Sequence, residues 1–402
     1  MYPKLRPVRT QPTVHHGRPA LALQDPLQLS NQIVIIPQHL VPILPLCDGT
    51  RDLDMLRASL AIRSGILLST SEIAQIVQRL DEALLLDNER FAQAKQRALA
   101  EYRAAPYRPP ALAGISYPAD PNTLREYFDQ WIARTSPDGT ASADVRAVIS
   151  PHIDYQRGGS VYAQTWTRAS AAIATADLAV IFGTDHNGSL GQITLTRQRY
   201  ASPFGVLPTD LEVVEAVAEA IGPDRAFAEE LHHRTEHSVE LAFAWLHYVL
   251  GDRTIPVVPI LCGSLDHYVQ QGSDPAMDSV ITAALQALQI ATAGRRVLWI
   301  AAADLAHVGP AFGDPRPLDL ITRAHLRTAD ERLLRTIEMG NPLAFFRCVQ
   351  AEQDRWRICG LAPIYLTLRM VTPATGKIVA YQHCPADAEN GSVVTIAGAL
   401  LS

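Results

Sequence analysis

Apolar and polar positions follow two periods along this chain. In "STSEIAQIVQRLDEALLLDNERF", Ile73, Ile76, Val77, Leu80 and Leu84 recur at helical spacing, behind Ser69, Thr70 or Ser71 as N-cap. Further on, short continuous apolar runs stand at "RAVIS", "DLAVIFG", "PVVPILC" and "RRVLWIAAA". Between them lie the helical stretches "GSVYAQTWTRASAAIA", "EHSVELAFAWLHYVL" and "DSVITAALQALQIATA". Strands that are apolar throughout and separated by helices predict an α/β fold, a mostly parallel sheet covered by helices on both faces. This domain is assigned residues 106–402.

The preceding part reads differently. Short β-like runs precede a helix, an Asp-Gly turn, two more helices and a closing Leu-Leu-Leu-Asp, which suggests a small winged-helix-like α+β module over residues 1–105. Residues 1–30 read as a loosely structured lead-in, the first 20 flexible. Pro106, Pro109, Pro110 and Pro118 mark the boundary.

Charge and composition narrow the function. The net charge is −6, so no global basic field draws the chain to nucleic acid or anionic lipid. Residues 48–97 hold eight acidic and seven basic side chains, which gives the winged-helix-like module no phosphate-tracking stripe. No apolar run reaches the ~20 residues needed to cross a bilayer. The basic N-terminal stretch lacks an apolar segment and does not read as a signal peptide. Five scattered cysteines without a CxxC pair suit a reducing cytoplasm and argue against a disulfide scaffold or zinc ribbon. Nucleotide-binding, HExxH and GxSxG motifs are absent from the sequence.

The chemistry-bearing residues gather at strand ends. The first run leads into His152 and Asp154-Tyr155, the second into Asp185-His186, the third into Cys262-Gly263-Ser264, the fourth into Asp304 and His307. In a parallel sheet these ends share one edge, where open α/β folds bind ligands. His152 and His186 lie 34 residues apart, one βαβ unit, which predicts adjacent strands. Several imidazoles with carboxylates at one mouth suit Fe(II), Cu or Zn. Glu236 and His237 open a helix; Glu236 is explained either by the helix dipole or by the site, and His237 is a candidate acid/base or anchor. His232 and His233 read as solvated loop residues. Cys359 is either a small buried hydrophobe or, at a helix start that lowers its pKa, a soft ligand or nucleophile. Cys47, Cys262, Cys348 and Cys384 read as structural.

The ordered motifs "AGISYPADPNTL", "SPHIDYQRGGSVYA", "GTDHNGS", "TEHSVEL", "VPILCGS", "AADLAHVG" and "RICGLAPI" resemble the Memo family over residues 108–402. Its prokaryotic members are known as protein B of the AmmeMemoRadiSam system. The resemblance implies the fold of class III extradiol dioxygenases, which are non-haem iron enzymes. It implies a pocket formed by His152, His186, Asp304, His307 and Cys359, with iron or copper held by His152, His186 and Cys359. Catalytic roles then fall to His307, Asp304, His237 and Glu236, and substrate contacts to Tyr155, Arg157 and Asp185. His307 stands where the dioxygenases use a carboxylate, Ser116 replaces an aromatic, and Arg157 replaces a tyrosine of the animal proteins and favours anionic ligands. The N-terminal module resembles the PqqD-like domains that capture precursor peptides.

Together these readings predict a cytoplasmic metalloprotein with redox or oxygenase-like activity. It would act on a small molecule or peptide and pair through its N-terminal module with a radical SAM enzyme, with no nucleic-acid or membrane partner. The competing reading is a non-catalytic protein that captures a peptide or phosphorylated ligand in a degenerate dioxygenase pocket.

Overall fold

In a computed structural model, which describes residues 2–135 and 142–402, the chain divides into two units, Met1–Ala104 and Ala105–Ser402. The first unit opens with an antiparallel sheet of β1 (Arg9–His15), β2 (Arg18–Gln24) and β3 (Val34–Pro37). The expected loose lead-in is therefore a hairpin. Its two-residue turn, His16-Gly17, has positive φ at both positions (50° and 72°), the twist that suits two paired strands. Nearly every residue of β1 is exposed, so no apolar alternation announced it. Three helices follow, Leu53–Ser64, Thr70–Glu82 and Glu89–Ala104. Ser69 caps the second with a full capping box to Glu72. Leu23, Ile36, Leu56, Ile73, Val77 and Leu80 share the unit's own core.

The second unit is built on an eight-stranded sheet. Its strands are β4 (Ala147–Ser150), β5 (Leu178–Thr184), β6 (Ile193–Leu195), β9 (Val257–Cys262), β10 (Val297–Ala302), β11 (His307–Val308), β12 (Gly376–Pro385) and β13 (Val393–Leu401); β7 (Tyr200–Ser202) and β8 (Gly205–Leu207) form a separate ribbon. The order is β11-β13-β4-β10-β5-β9-β6, with β12 on β13. Only β4, β10, β5 and β9 are mutually parallel; β6 and the β11–β13 group pair antiparallel. The sheet is thus mixed rather than mostly parallel. A parallel neighbour needs a crossover, whereas β12 and β13, joined by a short connection, return as a hairpin beside β4.

Both faces are covered. Along β5, Leu178, Val180 and Phe182 enter one core, while Ala179 and Ile181 enter the other. Helices Tyr155–Thr175 and Ser238–Leu250 contribute to the second core; Ser279–Ala291, Leu320–Glu338 and Leu361–Val371 contribute to the first. His152 and His186 are not on adjacent strands, because β10 runs between β4 and β5. The interposed strand leads into Asp304, whose carboxylate meets the His152 turn.

Candidate metal centre

The parallel strands β4, β5 and β10 end on one edge, and each releases a polar side chain there. His152 follows β4 and is 2% exposed; its Nδ1 lies 2.9 Å from the Ala302 carbonyl at the end of β10. Asp304 fixes the same turn by accepting from the His152 and Ile153 amides at 2.8 and 3.2 Å. His186 follows β5, and its Nδ1 lies 3.0 and 3.1 Å from the Glu236 carboxylate oxygens. Glu236, nearly buried, also accepts from the amides of His186 (3.0 Å), His237 (2.8 Å) and Ser238 (3.0 Å). His237 caps helix Ser238–Leu250, with its own Nδ1 3.0 Å from Glu236.

The outcome is a knot of imidazoles. Ring nitrogens of His152, His186 and His237 lie within 4.8 Å of one another. The His186 and His237 rings are stacked at 4.7 Å, and His152 meets both edge-on. Each Nδ1 faces a carbonyl or carboxylate, which places the proton on Nδ1 and leaves the Nε2 lone pair outward. Cys359 approaches from the His152 side, with Sγ 3.3 Å from Nε2. Two donors bound to one tetrahedral ion at ~2.0–2.3 Å would stand about 3.5 Å apart, a spacing the thiol meets toward His152 alone. Among the described residues the donors gathered within 4.8 Å of one another are His152, His186 and His237, without Cys359. The donor set fits a borderline-to-soft transition metal and would serve Mg²⁺ or Ca²⁺ poorly.

Cys359 reaches this position because Gly360 packs against β10. A Cβ on Gly360 would stand 2.4 Å from the Asp304 carbonyl oxygen and 2.6 Å from Ala303 Cβ. The Gly360 amide donates to that same carbonyl at 3.0 Å.

Electrostatics separate the groups. Burial, reinforced by His186 and His237, holds His152 well below its ordinary pKa. Burial pulls in the same direction on His186, but the Glu236 carboxylate outweighs it and raises that imidazole. Glu236 is correspondingly held well below the carboxylate range against its burial. Burial pushes Asp304 up and His307 down. The Cys359 thiol, expected to be lowered at a helix start, is instead pushed well up by burial, with Asp304 adding to it; it precedes the helix Leu361–Val371.

Two chambers meet at the cluster. One of about 440 Å³ is lined by Ser116, His152, Arg157, His186, His237, Asp304 and His307. The other, of about 410 Å³, is lined by Asp185, His186, Ser264, His307, Arg357 and Cys359. Arg157 reaches the first chamber while paired to Asp154 at 2.6 Å.

Some assignments change. Tyr155 lies in the core rather than in either chamber, fully buried, its hydroxyl donating to the Leu241 carbonyl at 2.7 Å. It opens the helix after the Asp154 N-cap, and that helix turns it inward against Phe128 and Tyr162. His233 is buried, with Nε2 3.1 Å from the Thr194 carbonyl, and His232 contacts Asp185 at 2.8 Å; neither is a solvated loop residue. His237, expected as an acid/base group or substrate anchor, lies within the imidazole cluster. That placement was hidden because it depends on a carboxylate 50 residues from His186. Arg357, a wall of the second chamber, carried no sequence signal.

A family profile described as Memo-like protein matches residues 108–400. The chain is 26% identical to a MEMO1 family protein of Aquifex aeolicus over 395 residues, 97% of this chain and 98% of that protein. It is 26% identical to one of Thermus thermophilus over 333 residues (83% and 94%). With one of Methanococcoides burtonii it shares 30% over 204 residues (50% and 69%). The matched profile covers the sheet except the last residue of β13, every imidazole of the cluster and Cys359, and this chain belongs to the Memo-like family.

Proposed function

We propose that the chain is a metal-dependent redox protein. Its ion, Fe(II) or Cu, is held by His152 and His186, with Cys359 on one side and His237 on the other. The observation that carries this reading is the convergence of three Nδ1-anchored imidazoles beside a thiol at one sheet edge. When bound, such an ion supplies Lewis acidity and one-electron chemistry.

The chain's own residues supply the rest. Glu236 orients two imidazoles and neutralises charge beneath them. Burial raises Asp304, which therefore holds a proton more readily than an ordinary carboxylate, and lowers His307, which therefore stays a neutral imidazole more readily than a free one. Arg157 and Asp185 each line one chamber and select ligands by charge. The strand-end histidines support kinship with class III extradiol dioxygenases, with His307 in place of a carboxylate. The N-terminal unit, which lies outside the Memo-like region and within the span aligned to the Aquifex relative, recruits a peptide or a radical SAM enzyme.

Metal analysis of protein purified without oxygen or chelators tests this. Close to one iron or copper per chain is expected, and its loss in His152→Ala. A metal-free protein that still captures a peptide through the chambers overturns it.

A further inference from the structure

Arg108 is fully buried, and it leads away from bulk solvent into the turn that carries Glu236. Its Nε donates to the His233 carbonyl at 2.8 Å and its Nη2 to the Glu236 carbonyl at 2.9 Å. Nη1 pairs with the Glu240 carboxylate, itself 1% exposed. Glu240 in turn accepts from the amides of Ala111 (2.7 Å) and Leu112 (2.8 Å) and from the Tyr117 hydroxyl (2.6 Å). One planar guanidinium therefore grips two carbonyls three residues apart, and one carboxylate ties down the segment that brings Leu112 and Ser116 to the first chamber. The side chain of Glu236, whose backbone is held this way, is the anchor of both His186 and His237. His152 takes its anchor elsewhere, from β10.

We infer that Arg108–Tyr117 is a clasp that sets the orientation of His186 and His237, with Arg108 and Glu240 as its positioning residues. The clasp acts on two of the three imidazoles and leaves the third alone. That selectivity separates positioning from a general contribution to the fold.

The inference rests on the metal reading for one arm of its test and stands free of it in the other. Arg108→Met with Glu240→Leu replaces the buried pair by apolar groups and removes the grip on both carbonyls together with the acceptor of the Ala111 and Leu112 amides and the Tyr117 hydroxyl, so far-ultraviolet circular dichroism first verifies the fold. Co(II) alone is the metal probe, followed by its absorption bands. The double variant is expected to lose about 10- to 100-fold in Co(II) affinity, the usual effect of removing outer support from a ligand. Imidazole ¹⁵N NMR of the metal-free protein is expected to show His186 and His237 losing their fixed Nδ1–H tautomer while His152 keeps its own. Arg108→Lys, which retains charge but not the fork, gives a smaller displacement of the same two rings and takes the place of the double variant should that fail to fold. Wild-type tautomers at His186 and His237 overturn the clasp, and so does an equal disturbance of all three rings. If wild-type protein takes up no Co(II), the metal reading falls and the NMR arm still decides the clasp.

Discussion

Replacing Glu236 by Gln keeps the shape of the side chain and removes its charge and one acceptor. Oε1 accepts from His237 and Ser238 amides and His186 Nδ1; Oε2 accepts from the His186 amide and shares Nδ1. The amide nitrogen of Gln settles best at the Oε2 position, where it opposes a single backbone N–H. That leaves one buried donor unpaired, destabilising the fold by about 1–3 kcal/mol. The loss of carboxylate support for two imidazoles should weaken metal by about 10- to 100-fold, or ~1.4–2.8 kcal/mol. Co(II) titration at neutral pH reads the second effect and urea unfolding the first, with far-ultraviolet circular dichroism verifying the fold. A Glu236→Gln protein with wild-type Co(II) affinity and an unchanged urea midpoint would refute the assignment of Glu236 as the anchor.

Three further outcomes follow from the same geometry. Gly360→Ala drives a Cβ to 2.4 Å from the Asp304 carbonyl oxygen and should cost about 1–3 kcal/mol in urea unfolding, with reduced metal content as Cys359 is displaced. Asp330, 1% exposed, is pushed by burial from 3.8 to about 6 although the Tyr381 hydroxyl donates to it. The folded state then binds more protons than the unfolded one between those values, so stability falls as pH rises through the window, by about 3 kcal/mol at most. Asp330→Asn should flatten that part of the profile and be more stable than wild type above pH 6; an unchanged difference between the two proteins across thermal melts from pH 4 to 7 would contradict this. Deletion of residues 1–104 should leave metal content intact and abolish partner capture, whereas collapse of the metal content would show that the larger unit depends on the smaller.

The sheet and its polar edge were legible because β4, β5, β9 and β10 are apolar along nearly their whole length, with Ser150 and Thr184 closing the first two, a pattern with few structural solutions. The antiparallel flank was less so. Strand β12 is mostly half-buried and carries no strong period, and β11 is two residues long. The histidines at strand ends could be named from sequence, yet the strand order could not, and the adjacency of His152 and His186 failed on the insertion of β10. Cys359 and His237 entered through family motifs and helix position, because their proximity to His152 is a product of tertiary packing. Tyr155 shows the converse limit: a motif residue two positions from a chamber arginine serves the core.

X-ray absorption at the metal edge of protein purified anaerobically tests most directly the proposed metal held by imidazoles and a thiol at the ends of β4, β5 and the Cys359 turn. A nitrogen shell near ~2.0–2.1 Å together with one sulfur near ~2.3 Å is expected, the sulfur disappearing in Cys359→Ser. An all-oxygen shell, or protein that carries no transition metal under these conditions, would contradict it.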